Sequence, residues 1–246
     1  MPHSLEARNH ASEIKFVVDA ALGPRIRDWA RTHLEPDPHG AGPFGDGYDT
    51  SSLYFDTAVH DVFHRRGSYG RAKYRIRRYS NADFVFLERK LRRPGLVVKR
   101  RTRAPLDLLS RFDVPGPVEP WYGSWFGARL SARRLVPVCQ VSYHRTARGA
   151  DRPEGPIRLT LDDDILALPV TTVAFTGGEG EIILPGRMIL ELKFRGSLPA
   201  TFRRLVEHFV LQPRTASKYR LAMVALGHAA SPGAGDRPAT SPELRD

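Results

Sequence analysis

The sequence predicts an α+β, mainly β protein: an eight-stranded antiparallel β-barrel tunnel with a charged bore, covered by several helices. Three observations predict it. Five or six segments place ionisable side chains two residues apart on one face and mostly apolar side chains on the other, the alternation that a strand imposes. Helical segments with apolar spacing near three and four are available to cover the apolar faces. The 246 residues are 41% hydrophobic, enough for a real core. An ordinary antiparallel sheet turns its polar face to water. Repeated on most strands, the pattern points instead to an enclosed, water-filled bore, and closure removes exposed edges.

The elements follow in order. "EIKFVVDA" reads as a strand with Glu13 and Lys15 on one face and Ile14 and Phe16 on the other. A helix is expected from Pro24 to about Leu34, since proline suits a first turn. "PDPHGAGPFGDG" is a loop, "TSSLYFDT" a strand and "AVHDVFHRR" a short helix. "RAKYRIRRYS" is a strand with Lys73, Arg75 and Arg77 in phase. Residues 84–103 form a hairpin around Arg92-Arg93-Pro94-Gly95, whose Pro-Gly pair punctuates the chain. Its strands carry Glu88 and Lys90, then Lys99, Arg101 and Arg103, each set on one face.

The region around "WYGSWFGARLSARRL" is expected to be helical. "VPVCQVSYHRTA", "IRLTLDDD" and "RMILELKFRG" are strands; "TTVAFTGGEGEIIL" is a strand with a Gly-rich turn. Two helices, "LPATFRRLVEHFVL" and "ASKYRLAMVALGH", close the domain. The expected organisation is a leader over 1–11, one domain over 12–228, and a Pro/Gly/Ala/Ser-rich tail over 229–246 expected to be disordered.

Net charge is +11, which favours an anionic partner. Between Arg65 and Arg103 stand fifteen Lys and Arg against only Asp83 and Glu88. Cys139 is the single cysteine, so an intrachain disulfide and a multi-cysteine zinc site are excluded. No apolar run approaches the ~20 residues that span a bilayer, and the first ten residues lack a signal-peptide core. The expected location is the cytoplasm, with a membrane surface reached only through a partner. Nucleic acid is not the expected partner, because the aromatics do not interleave with the basic strands as a stacking surface requires.

"EIKF", "SLYFDT", "YRIRRY", "LERK" followed by "VKRR", "YHR", "RLTLD", "LELKFRG" and "SKYRLAM" resemble, in this order, the vacuolar transporter chaperone (VTC) domain of the triphosphate tunnel metalloenzymes. The resemblance spans about residues 13–226. It implies the eight-stranded tunnel and transfer of the terminal phosphate of ATP onto a growing inorganic polyphosphate chain, with Mn²⁺ or Mg²⁺. Motif by motif it implies phosphate binding by Lys15, Arg75, Arg77, Lys90, Lys99, Arg145, Arg158, Lys193 and Lys218. Arg75, Arg77, Lys90, Arg158 and Lys218 would be catalytic among them. Glu191 would be the main metal ligand, with Glu13, Glu88 and Asp162 as helpers. Lys218 alone falls outside the strand alternation, on the closing helix.

Two departures qualify the resemblance. The related CYTH branch begins Glu-x-Glu-x-Lys, whereas this chain reads Ala11-Ser12-Glu13-Ile14-Lys15; the missing acid argues against a simple triphosphatase. The SPX domain and membrane helices that accompany fungal VTC domains are not present in these residues, so regulation and a membrane-protein partner would come from elsewhere. The alternatives are a tripolyphosphate or nucleotide triphosphatase of the same fold and a non-catalytic polyphosphate-binding module.

Phosphoryl transfer needs positioning and charge neutralisation. Arg supplies fixed bidentate contacts and Lys a mobile point charge. A phosphate-chain end is already an anion, while water must be oriented or activated, so an acid-poor bore suits a polymerase. Other features read as structural. Arg78, Arg89, Arg92, Arg93 and Arg100 lie off phase or in the turn. His60 and His64 have zinc-compatible spacing on a helix but lack a third ligand. Asp163 and Asp164 are expected to shape a turn, and Trp121, Tyr122, Trp125 and Phe126 to pack.

Overall fold

The structure is a computed structural model and describes residues 11–93, 96–112 and 121–228. Its strands are β1 (Ala11–Asp19), β2 (Glu35–Pro36), β3 (Gly47–Asp56), β4 (Ala72–Tyr79), β5 (Phe84–Arg93), β6 (Leu96–Pro105), β7 (Val136–Ala150), β8 (Ile157–Pro169), β9 (Glu181–Ile182) and β10 (Arg187–Arg195). The helices are α1 (Gly23–His33), α2 (Ser124–Ala132), α3 (Ala200–His208) and α4 (Lys218–Ala225).

Eight strands form one antiparallel path, β1-β10-β8-β7-β3-β4-β5-β6, with β2 and β9 as short additions to β7 and β8. The path curls so that β1 meets the far wall electrostatically: Glu13 and Lys15 of β1 act on Lys90 of β5 and Lys73 of β4. Among the described residues no ladder joins β1 to β6. The tunnel is therefore a curled sheet with a seam, and the edge-free closure expected from the sequence is not reached there.

The outer face of the sheet is apolar and covered by helices, as the alternation requires. On the β1-β10-β8 side, Phe16, Val18, Leu159, Leu161, Leu190 and Leu192 meet Ile26 and Ala30 of α1 and Phe202 and Leu205 of α3. Pro24 sits in the first turn of α1, and Arg31 and His33 in its last turn, where they complement the helix dipole. On the opposite side Leu53, Ile76, Val85, Leu87 and Ala104 pack beneath Phe126 and Leu130 of α2. Truncating a side chain such as Leu87, which is fully buried, to alanine costs about 2–5 kcal/mol.

Three local expectations fail for identifiable reasons. "AVHDVFHRR" forms turns, with His60 and Arg65 at positive φ. Asp56, fully buried, accepts from the backbone N–H groups of Thr57, Val62 and Phe63, so the chain wraps around a carboxylate and the helical face shared by His60 and His64 is lost. Residues 170–180 are bends and loop, not a strand. The Gln140 side chain holds Thr176 through both its backbone N–H and its carbonyl, in place of a ladder.

Third, Asp163 and Asp164 lie within β8. Asp163 pairs outward with Arg27, and Asp164 takes positive φ where the β7–β8 register shifts. The remaining long elements fall where the sequence placed them. Pro94, Gly95, residues 1–10 and residues 229–246, expected as a turn, leader and tail, lie outside the described residues.

Candidate triphosphate-binding tunnel

The inner face of the tunnel is built by cross-strand register. Lys73 of β4, Lys90 of β5 and Lys99 of β6 are successive partners; so are Arg75, Glu88 and Arg101, and then Arg77, Phe86 and Arg103. Opposite them, Lys15 partners Glu191 and Glu13 partners Lys193 between β1 and β10. Lys193 partners Arg158, and Arg145 of β7 partners Asp162 of β8. The structure thus gathers Lys15, Arg75, Arg77, Lys90, Lys99, Arg145, Arg158 and Lys193 on one surface. Lys218 joins them because α4 packs on β7 and β8 and begins at that lysine.

The most enclosed part is a carboxylate held by two cations. Arg145 donates to both oxygens of Asp162, Nε at 2.6 Å and Nη2 at 2.8 Å, and Lys218 Nζ lies 2.5 Å from Oδ2. The Tyr143 ring supports both cations, with centroid distances of 5.2 Å to Arg145 and 4.7 Å to Lys218. Burial would raise the Asp162 pKa, but Arg145 and Lys218 hold it well below the usual carboxylate range. Both oxygens of this fully buried carboxylate are committed to cations. In this arrangement Asp162 fixes the two cations.

Glu88 behaves similarly. Arg75 Nε lies 2.5 Å and Arg101 Nε 3.1 Å from its two oxygens. Burial opposes its ionisation, yet Arg75 and Arg77 lower its pKa. Arg77, buried, donates from Nε to Ser52 Oγ at 3.0 Å. Burial would also raise the Tyr54 pKa, but Arg75 and Arg77 bring the net shift downward; the field between these guanidinium groups is strongly positive.

The third cluster spans β1 and β10. Lys15 Nζ bridges Glu13 at 3.0 Å and Glu191 at 3.1 Å, and Lys193 Nζ approaches Glu191 at 2.5 Å. Burial and mutual repulsion oppose ionisation of Glu13, yet Lys15, Lys90 and Lys193 lower its pKa. Burial opposes ionisation of Glu191 too, yet Lys15 and Lys193 hold its pKa well below the ordinary carboxylate value. Among the described residues no three His, Cys, Asp or Glu gather as a cage. A cation that keeps waters and takes substrate phosphates needs only one or two carboxylates. Glu191 has both oxygens on lysine ammonium groups and Glu13 has one, so the pair would hold such a cation only as Lys15 and Lys193 move onto the substrate phosphates.

At one mouth Arg158 donates to Tyr48 Oη at 2.8 Å and pairs with Asp37 at 2.8 Å. They border a cavity of about 260 Å³ shared with Tyr79 and Arg101. Asp37, Tyr48, Tyr143, Ser52 and Lys73 were not assigned roles from the sequence. Lys73 and Arg101 were in phase with their strands and carried a signal. The others become visible only through the register and the loop that carries Asp37.

A curled antiparallel sheet with Lys and Arg on its inner face and helices on its outer face defines the triphosphate tunnel fold. Among solved structures, a candidate adenylate cyclase from Bacillus halodurans is 15% identical, with 83% of this chain and 92% of its own covered and a TM-score of 0.50. A candidate adenylyl cyclase from Hippeastrum, described as having a dominant triphosphatase activity, is also 15% identical, with 89% and 97% covered and a TM-score of 0.45. No match is found among curated proteins. The VTC domain family model matches residues 10–226, and the chain belongs to that family.

Proposed function

We propose that this protein is a polyphosphate polymerase that transfers the terminal phosphate of ATP onto inorganic polyphosphate, with Mn²⁺ or Mg²⁺ held through Glu191 and Glu13. The observation that carries the reading is the state of the inner carboxylates. Asp162, Glu88, Glu13 and Glu191 are each ion-paired, with pKa values pushed below their usual range. A carboxylate so stabilised as the anion is a poor base for water. The terminal oxygen of a polyphosphate chain needs no base.

In this reading Arg75, Arg77, Lys90, Arg145, Arg158 and Lys218 bind the triphosphate and spread the charge of the loose transition state. The acceptor's terminal O⁻ attacks the γ-phosphorus. The bond from that phosphorus to the β–γ bridging oxygen breaks, and ADP leaves with the electron pair on that oxygen. A bound divalent cation supplies charge neutralisation on the phosphate oxygens. Lys15, Lys99 and Lys193 hold neighbouring phosphates, and Asp162 and Glu88 fix the cations that touch substrate.

Among the described residues no helix is long and apolar enough to cross a membrane. A membrane-protein partner belongs to the proposal only as a receiver of the product chain, with the protein on the cytoplasmic side. The test is incubation with ATP and Mn²⁺ or Mg²⁺, with and without a short polyphosphate primer, followed by polyphosphate-stained gels and a free-phosphate assay. A lengthening ladder with little free phosphate is the expected result. Free phosphate without a ladder would make the protein a triphosphatase, and binding without turnover a polyphosphate-binding module.

A further inference from the structure

Outside the tunnel, arginines collect at one end of the sheet. β3 ends there at Asp56, and β4 and β7 begin there at Ala72 and Val136. The chain between β3 and β4 carries Arg65, Arg66 and Arg71, all exposed, and the chain from α2 into β7 carries Arg129, Arg133 and Arg134. The two segments touch. The Tyr69 hydroxyl donates to the Arg133 carbonyl at 3.4 Å, Arg133 Nη2 donates to Ser68 Oγ at 3.3 Å, and the Arg133 guanidinium lies 4.1 Å from the centre of the Tyr69 ring. Asp61 is the only acid in residues 57–71 and 124–136, and it pairs with Arg66 at 3.2 Å. Arg71, Arg129, Arg133 and Arg134 enter no ion pair among the described residues. Arg129 and Arg133, in the last turn and at the cap of α2, complement the helix dipole. That accounts for neither Arg71 nor Arg134.

Exposed valines stand among these arginines. Val59 is 62% and Val136 47% exposed. Val136 is the register partner of Asp56. Val59 follows Asp56 in the next turn, and its carbonyl accepts from Arg66 Nη1 at 2.9 Å. A scattered exposed valine is ordinary. Valines set between unpaired guanidinium groups suit a layer that is ionic and apolar at once, where arginine heads meet lipid phosphates while their stems and the valines enter the acyl boundary. A soluble polyanion would satisfy the charges and leave the valines in water. The valines are single side chains on separate segments, without the contiguous apolar centre of a protein–protein interface. The cavity bordered by Tyr48, Tyr79 and Arg158 lies at the opposite strand ends, since Tyr79 closes β4 and Tyr48 stands near the start of β3.

We propose that the arginines of residues 65–71 and 129–134, with Val59 and Val136, form a docking surface for an anionic lipid bilayer. Basic clusters of this size are drawn to anionic headgroups. The protein then rests on the membrane directly, without a spanning segment, and the Tyr48–Tyr79 mouth faces away from the lipid. The surface shares no residue with the tunnel, so this inference stands whether or not the protein is a polymerase.

The experiment is co-sedimentation of the full chain with vesicles of equimolar phosphatidylglycerol and phosphatidylcholine, and with vesicles of phosphatidylcholine alone. Binding to the anionic vesicles only is expected. The double variant Arg129→Gln with Arg134→Gln should weaken it about thirtyfold, the loss of two charges at the lipid surface. Val59→Ser with Val136→Ser should weaken it about fivefold. Arg203→Gln with Arg204→Gln removes the same charge from exposed positions on α3, on the far side of the sheet, and should change binding less than about threefold, because distant charges are screened. Circular dichroism and unchanged ATP affinity check that each variant folds. No binding to anionic vesicles overturns the proposal, as do equal losses from the α2 and α3 pairs, which would reflect net charge alone. An arginine effect without a valine effect would make the surface a site for soluble polyanions. If vesicles stay unbound while polyglutamate binds and loses affinity in the Arg129 and Arg134 variant, the surface belongs to an acidic protein instead.

Discussion

The Asp162 wall and the lysine row solve opposite problems with the same chemistry. At the wall, Arg145 and Lys218 are held on a carboxylate and keep their positions without a ligand. In the row, Lys73, Lys90 and Lys99 are register partners, none of them in an ion pair among the described residues, and Glu13 acts on Lys90 from β1. Internal pairing preorganises charge and lowers the cost of ordering it during reaction. Absence of direct ion pairs leaves a field that Glu13 offsets in part and that an incoming anion relieves further. The tunnel thus separates a fixed centre from a responsive one.

The largest effect is expected from breaking the wall. Asp162→Ala strands Arg145 and Lys218 without their partner, and removal of one member of a buried pair costs about 3–5 kcal/mol. Urea unfolding should show that loss, and turnover should vanish. Tripolyphosphate should raise the Tm of this variant more than that of the wild-type protein, because a bound phosphate replaces the missing carboxylate. Equal ligand-induced shifts would mean that Arg145 and Lys218 do not face the substrate.

Next is the junction of β1 and β10. Glu191→Gln removes one charge between Lys15 and Lys193 and should abolish metal-dependent turnover while the protein still folds. Circular dichroism checks the fold and the polyphosphate gel checks the activity. Metal-dependent turnover at the wild-type rate would remove Glu191 from the metal site and leave the pair as a structural bridge.

Strand periodicity made much of this legible. Arg75 and Arg77, or Glu191 and Lys193, share a face whatever the rest of the fold does, because alternation is local. What the sequence did not disclose is who pairs with whom. Arg145 meets Asp162 only through the β7–β8 register, so the pairing has no local signature in either strand. Lys218 falls outside the strand alternation and is implicated by the family resemblance alone; its place in the tunnel depends on α4 docking. That docking runs through Asp56, whose carboxylate collects three backbone N–H groups and the Tyr219 hydroxyl, a long-range arrangement with no periodic signature.

The same anchor offers an intermediate test, because α4 serves both regions: Lys218 reaches the wall and Ser217 the row. Tyr219→Phe deprives the buried Asp56 carboxylate of one donor and should cost about 1–3 kcal/mol. It should weaken ATP and long polyphosphate together. A loss confined to one ligand would show that the two regions are positioned independently of the helix.

The smallest effect is also the most specific to the row. The folded-state pKa of Lys73 is lowered to about 7 by burial and the surrounding cations, against about 10.4 in the unfolded chain. Below pH 7 the side chain is charged in both states, and the full penalty for holding it among cations is present. Between about pH 7 and pH 10 the unfolded state binds more protons, so this group's contribution to stability rises with pH. Lys73→Met should therefore stabilise the ligand-free protein most at or below pH 7, and the difference should shrink toward pH 10 in paired thermal melts. Polyphosphate should reverse the order near pH 7, since the anion favours the charged amine and only the wild-type protein can use it. A pH-independent difference between the two proteins would mean that Lys73 is not held against its neighbours' charge, and the contrast between a satisfied wall and an unsatisfied row would lose its basis.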